Sequence, residues 1–463
     1  MTRRELLRQG SSMAAALAAA SVAGAQVTPP ATTPPATTPP EAKPVESKPA
    51  TTTAATMRAN DKPNLADIGC GGIAIWHAQY VGKYSNIVAL CDVDQGRLAT
   101  YNEKFAAGKA FVTADYRKVL ERKDVDVVLV ATPDHWHTKI TADALRAGKD
   151  VYCEKPLTLT IEEGRFLCRV VRQTAGILQV GTQQRSEDRF TQVVALARSG
   201  RLGTIRHVTV VIGPTPVGVG FASSELPSQL DWNTWLGQAP NVSYIKQRCH
   251  DTFRWWYEYS GGRMTDWGAH HVDIAQAAVA PDLPGPTTIA PARVKFQAPY
   301  KDGYPLDPLS FNTASEFEVT CTYANGVEML IADRVDRFPD TNGIMILGDA
   351  GSVFVNREKQ FGAALDALKT DPLPPGAFTP TPNVTPIPHE AHFVNFLECC
   401  RTRKQPTSDV FEHVRTLNTC HLANIAMRLG RTIQWDATAQ RIVGDDEADA
   451  FQSRPQRKGF EVV

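Results

Sequence analysis

The stretch "LADIGCGGIAIWHAQYV", followed by "IVALCDVD", constrains this chain more than any other. It reads as a strand, a glycine turn and a helix, then a second strand that ends in acid. In Gly69-x-Gly71-x-x-Ala74 the first two glycines permit a tight turn and a close backbone approach to a pyrophosphate, while Ala74 takes the small third position. Gly72 stands beside them where the helix begins. Asp92 follows Gly69 by 23 residues (92 minus 69), at the end of the next strand, where a carboxylate accepts hydrogen bonds from a ribose diol. That pairing specifies an α/β fold with a doubly wound parallel Rossmann sheet. It favours NAD over NADP, because Asp92 repels a 2′-phosphate. One residue departs from the pattern: Asp67 stands in the first strand where an apolar side chain is expected, which places it at a strand edge.

The alternation continues. "VDVVLVAT" is a buried parallel strand, "HTKITADALRAG" a helix closed by Gly148, and "DVYCEKP" a strand that runs into Glu154-Lys155-Pro156. Ligands of open α/β sheets sit beyond the carboxyl ends of the strands, so Thr132, Pro133, His137, Glu154 and Lys155 fall at the cofactor edge. Lys155 is thereby a catalytic candidate. His135 and His137 also have the look of metal ligands, but a loop over a nicotinamide accounts for them without further ligands.

A second polar cluster lies in "GGRMTDWGAHHVD", residues 261–273. On a helix Asp266, His270 and Asp273 stand at i, i+4 and i+7 and share one face. The spacing fits a divalent metal held by His and Asp, a relay in which a carboxylate orients a catalytic imidazole, or polar side chains that satisfy one another.

A length of 463 residues accommodates two domains. Forty-nine basic residues balance forty-nine acidic ones, so no basic excess steers the chain to nucleic acid or anionic lipid. The nine cysteines form no CxxC and read as buried apolar thiols. Residues 1–25, with "TRRELLRQG", an apolar run and Ala23-Gly24-Ala25, are similar to a twin-arginine export signal that leaves no membrane anchor after processing. The Pro/Thr-rich residues 26–62 read as an extended linker. A Rossmann domain over 63–182 and a second domain over 183–463 follow.

"GCGGIA", "CDVD", "ATPDHWH", "CEKP", "GTQQR" and "DWGAHHVD", in that order, resemble the Gfo/Idh/MocA oxidoreductase family. The resemblance implies NAD as cofactor and a C-terminal α+β domain with a large, mostly antiparallel sheet, the last helices packing back on the Rossmann domain. It also implies chemistry at a carbon of a small sugar or cyclitol. The family's lysine maps to Lys155 and its Asp-x-x-x-His pair to Asp266 and His270; His271 and "FRWWYEYSGG" lie outside its general pattern. In that setting His270 is the expected general base, Lys155 the cation that holds the substrate oxygen, and Asp266 an orienting group, with Asp273 structural.

The second half reads independently as sheet: "TIRHVTVVIG", "ARVKFQAP", "SEFEVTCTYANGVEMLIADR", "GIMILGD" and "SVFVN" are strands, with Asn325-Gly326 a hairpin turn. His389, His392, His413 and His421 fall in two closing helices as surface or packing residues. Trp255, Trp256 and Tyr257 offer a face for a sugar, or else a core or subunit-interface cluster.

These readings lead to an NAD-dependent oxidoreductase acting on a secondary hydroxyl of a sugar, cyclitol or glycoside. The alternatives are redox-neutral, NAD-dependent glycoside cleavage and a metal-assisted variant through His250, His270, His271 and Asp266; the intact Lys155, Asp266 and His270 argue against a mere binding protein. The expected setting is the periplasm, with tightly held NAD, and a homo-oligomer formed through the sheet face.

Overall fold

The computed structural model describes residues 62–378 and 387–462. The expected export signal and all of the linker but Lys62 lie outside them. Six parallel strands come first: β1 (Asn64–Ile68), β2 (Asn86–Cys91), β3 (Phe111–Thr113), β4 (Val127–Val130), β5 (Asp150–Cys153) and β6 (Leu178–Val180). Their order, β3-β2-β1-β4-β5-β6, is doubly wound and reverses between β1 and β4. β4 is buried on both faces, as an all-apolar VVLV run in a helix-covered parallel sheet must be.

The second sheet contains β7 (Ile205–Val211) and β8 (Pro286–Lys295), and, beyond a short hairpin of β9 (Tyr300–Lys301) and β10 (Tyr304–Pro305), β11 (Glu316–Tyr323) and β12 (Glu328–Ala332). β13 (Gly343–Gly348), β14 (Ser352–Val355), β15 (Gln360–Phe361), β16 (Ile433–Asp436) and β17 (Arg441–Val443) complete it. Its nine strands run β15-β14-β13-β7-β12-β11-β8-β16-β17, antiparallel except where β7 meets β12. β11 alternates strictly: Phe317, Val319, Cys321 and Tyr323 are buried in a core shared with the helices Gly268–Val279 and Val410–Leu429. Its Glu316, Glu318, Thr320 and Thr322 face the other way and are half-buried, with Arg293 bridging Glu316, Glu318 and Asp333.

The helix Pro388–Thr402 returns to the first sheet. Its Phe393 and Phe396 are fully buried in one cluster with Leu65, Leu90, Leu129 and Tyr152. Each such ring contributes about 1.5–3 kcal/mol of burial. Val410, Val414 and Leu417 do the same on the opposite layer, against Leu167 and Val170.

Two expectations need correcting. Asp67 is not at an edge: β1 pairs with β2 and β4 on either side of it, and its carboxylate is fully buried, accepting from the Tyr101 hydroxyl at 2.5 Å. Burial pushes the group up to about 6, against the pull of that hydrogen bond. The DWGAHHVD stretch is also not one unbroken helix, because Trp267 separates Gly262–Asp266 from Gly268–Val279. Both turns remain right-handed, so the i, i+4 relation of Asp266 and His270 survives.

Candidate active site

A cleft of about 1150 Å³ opens at the point where the strand order reverses. Gly69 must be glycine: its φ is +96°, and a Cβ there would lie 2.6 Å from the Ala131 carbonyl. Gly71 caps the helix Gly72–Tyr84 without any side-chain hydrogen bond, and no acid occupies the first turn. The first amides are therefore left for an anion in the cleft, which Gly69, Gly71 and Gly72 all line. Asp92 lies at the far end, its carboxylate accepting from Cys70 N (2.7 Å) and Asp94 N (2.8 Å). Thr132 also lines the cleft, and its buried hydroxyl has no partner among the described residues. Glycine turn, open amides, carboxylate and orphaned hydroxyl together fit a dinucleotide.

Not every expected cofactor residue touches that space. Ala74 does not line it: it is fully buried on the inner face of the helix Gly72–Tyr84, its carbonyl taking the Tyr101 hydroxyl at 3.4 Å, and serves close helix-to-strand packing instead of touching the cofactor. Pro133 precedes the helix Asp134–Arg146 at the rim. His137 spans two loops through the carbonyls of Thr132 and Pro156, both at 2.8 Å. Glu154 reaches the cleft, but its carboxylate is bound by His77 Nε2 at 2.7 Å.

At the inner end of the cleft Lys155 Nζ donates to Asp266 Oδ1 at 2.6 Å and to Asp266 O at 3.1 Å. Arg254 and Arg263 stand 3.6 and 3.8 Å from the same carboxylate. Burial pushes Asp266 up, and the three cations outweigh it, so the group stays ionised below the ordinary carboxylate range. His270, one turn on, is buried, and neither ring nitrogen has a hydrogen-bond partner among the described residues. Burial, then Lys155 and Arg357, push this imidazole well below its usual range. It is a neutral proton acceptor beside a fixed ammonium.

Several residues here escaped the sequence reading. Arg357 lies 4.7 Å over the Trp267 ring. With its amide turned to meet both donors, Gln183 accepts from Arg357 (3.0 Å) and His389 (3.2 Å). His389 thus belongs beside the site rather than to the surface, whereas His392 and His413 are buried packing groups and His421, also buried, meets the Thr158 hydroxyl at 3.2 Å. The "GTQQR" motif held the only available signal, and its Arg185 clamps Asp273 at 2.6 and 2.7 Å. His271 is fully buried between Gln184 and Asn342, both at 3.3 Å. Trp255 and Trp256 are core residues beneath Arg263 and Arg248. His250 stands by Asp94 in the cofactor cleft, 3.7 Å away, and among the described residues no three His, Cys, Asp or Glu side chains converge as metal ligands.

A dinucleotide cleft lined by a lysine that is paired to a carboxylate, with a neutral imidazole one turn beyond that carboxylate, fits an NAD(P)-dependent oxidoreductase. Residues 64–182 match the NAD-binding Rossmann fold of an oxidoreductase family and residues 218–462 its C-terminal alpha/beta domain. The chain belongs to the Gfo/Idh/MocA oxidoreductase family. It is 23% identical over 377 residues to the scyllo-inositol 2-dehydrogenase (NAD(+)) of Bacillus subtilis, covering 80% of this chain and 96% of that one. To the oxidoreductase YrbE of the same organism it is 24% identical over 211 residues, 45% of this chain, and spans about half (51%) of that relative's length. The aldose-aldose oxidoreductase of Caulobacter crescentus has a similar fold, with a TM-score of 0.58 at 20% identity over 81% of this chain and 100% of that one. So does the WlbA dehydrogenase of Bordetella pertussis, solved with NADH and UDP-GlcNAcA, with a TM-score of 0.58 at 19% identity over 81% and 99%.

Proposed function

We propose that this protein is an NAD-dependent oxidoreductase that oxidises a secondary hydroxyl of a sugar, cyclitol or glycoside. The observation that carries the reading is the Lys155–Asp266 pair at 2.6 Å, fixed at the inner end of the cleft with the unpartnered His270 one turn away. NAD, held by the glycine turn and Asp92, supplies the hydride acceptor. The chain supplies the rest. Lys155 donates to the substrate oxygen and keeps it oriented; Asp266 holds the ammonium in place; His270, neutral, takes the hydroxyl proton. Incubating the purified protein with NAD and a panel of sugars and cyclitols should raise absorbance at 340 nm for at least one of them. No nucleotide reduction and no cleavage with any member of the panel would refute it.

The N-terminal "TRRELLRQG" motif supports export to the periplasm with NAD held tightly, since the nucleotide pool stays behind. It also favours, as a second reading, redox-neutral glycoside cleavage in which the bound nucleotide is recycled. Product formation without accumulated NADH distinguishes that route. Replacing Arg3 and Arg4 with Lys should keep the protein in the cytoplasm. The half-buried β11 face supports a homo-oligomer through the open side of the sheet; Leu330→Glu, on neighbouring β12, should lower the mass measured by light scattering. Among the described residues no helix is long and apolar enough to cross a membrane.

A further inference from the structure

A second cavity of about 1210 Å³ shares no lining residue with the cofactor cleft. The two are nonetheless linked, because Ser260 lines the second cavity and donates at 2.5 Å to Asp134, which lines the first. What sets it apart is its charge. Arg428 and Arg454 both line it, and among the described residues neither guanidinium has a carboxylate within ion-pair distance. Two other arginines withdrawn from solvent do: the half-buried Arg185 meets Asp273 at 2.6 Å and the buried Arg248 meets Glu258 at 3.5 Å.

Arg428 donates Nε to Gly303 O at 2.9 Å and is flanked by Tyr257 and Phe451, 4.9 and 4.6 Å from their ring centroids. No acceptor meets its two terminal nitrogens among the described residues. Arg454 donates only to main-chain carbonyls, those of Tyr257 (2.7 Å), Glu258 (3.3 Å) and Leu159 (3.5 Å). Burial pushes it down to about 10. Glu258, the one acid in the lining, is already taken up by Arg248 and by Asn312 Nδ2 at 2.8 Å. The carboxylates of Glu163 and Glu258 act on Arg454 from beyond ion-pair distance, and a planar guanidinium with no carboxylate in contact is matched by a carboxylate or phosphate. The remaining wall suits a polyol: Thr160 and His421 offer polar atoms, and Tyr304 an aromatic face. One ring nitrogen of His421 meets Thr158 at 3.2 Å and the other has no partner among the described residues.

We infer that this cavity is a second ligand site, separate from the catalytic cleft, which binds a small sugar bearing a carboxylate or phosphate through Arg428 and Arg454.

Calorimetric titration of the full chain loaded with NAD tests this, using glucuronate, glucose 6-phosphate and glucose as probes. One or both anionic sugars should bind, identifying the anion, while glucose should bind at least about tenfold more weakly, the worth of one charge-assisted contact. Arg428→Gln should weaken binding by about tenfold or more, and Ser453→Glu, an exposed position in the lining, should abolish it by setting a carboxylate beside the arginines. NAD binding should be unchanged in Ser453→Glu and the unfolding midpoint unchanged or raised, because the new carboxylate gives the arginines a partner. Binding that survives both substitutions but disappears in His270→Ala would put the ligand in the catalytic cleft and overturn the inference. So would equal affinity for glucose and the anionic sugars, or no binding of either anionic sugar.

Discussion

Mild acid should unfold this protein, and six histidines set the slope. Burial pushes His135, His271 and His421 down to about 3, His392 and His413 down to about 4, and His270 well below its usual range. All six are less than a tenth exposed, so solvent screens little of the effect. In the unfolded chain each would titrate near about 6.5. The stabilisation is therefore whole above that pH and is lost as pH falls towards the folded values, because the unfolded state binds protons that the folded state refuses. Each group costs about 1.4 kcal/mol per pH unit in that window, and the six together about 8. Asp67 works in the opposite sense: raised to about 6, it contributes stability at low pH that is lost as pH rises through that value. It returns at most about 3 kcal/mol between pH 6 and 4. The histidines win, and a total stability of about 5–15 kcal/mol is exhausted within one or two pH units below about 6. Urea unfolding followed by tryptophan fluorescence at pH 7, 6, 5.5 and 5 measures this. His413→Leu provides the control: among the described residues both ring nitrogens lack hydrogen-bond partners, so an apolar side chain forfeits none, and the slope should fall by about 1.4 kcal/mol per pH unit with neutral stability kept or raised. A midpoint that holds steady from pH 7 to pH 5 would show that these imidazoles protonate inside the fold, and the reasoning would fail.

Three further outcomes are expected. Lys155→Ala and His270→Ala should each lower kcat by about two orders of magnitude or more while NAD titrations change little; wild-type turnover in either removes it from the mechanism. Gly69→Ala should cost about 2–4 kcal/mol of stability and most NAD affinity, since its Cβ meets the Ala131 and Thr132 backbone at 2.6–2.7 Å; thermal unfolding and nucleotide titration read both, and unaltered binding counts against the turn as cofactor site. Asp92→Ala should narrow the preference for NAD over NADP, read as the ratio of their Kd values; tighter NADP binding by the wild type would contradict the role given to Asp92.

What could be read in advance followed the range of the interactions. Gly69, Gly71 and Asp92 declare themselves because turn geometry and the succeeding strand are local, and β11 with its Asn325-Gly326 turn because period-two burial is written in consecutive residues. The start of β8 was not legible: Pro286 and Pro291 argue against a strand, and the structure accepts Pro291 only where the register with β11 slips. Asp67 looked like an edge residue because its partner, Tyr101, is supplied from 34 residues away. Arg254, Arg357, Gln183 and His389 share no spacing. They meet through packing of separate elements, which a pattern along one chain does not carry.

The helix Pro388–Thr402 has a bearing on the order of events during synthesis. Phe393 and Phe396 fill the same cluster as Leu65 and Leu90, so the nucleotide domain lacks part of its own core until residues made more than 200 positions after β6 have emerged. Completion of that core is thereby tied to near-completion of translation. A ribosome that stalls in the second sheet would release a chain with an open hydrophobic face and a poorly formed nucleotide site, a product fit for proteolysis rather than for partial activity.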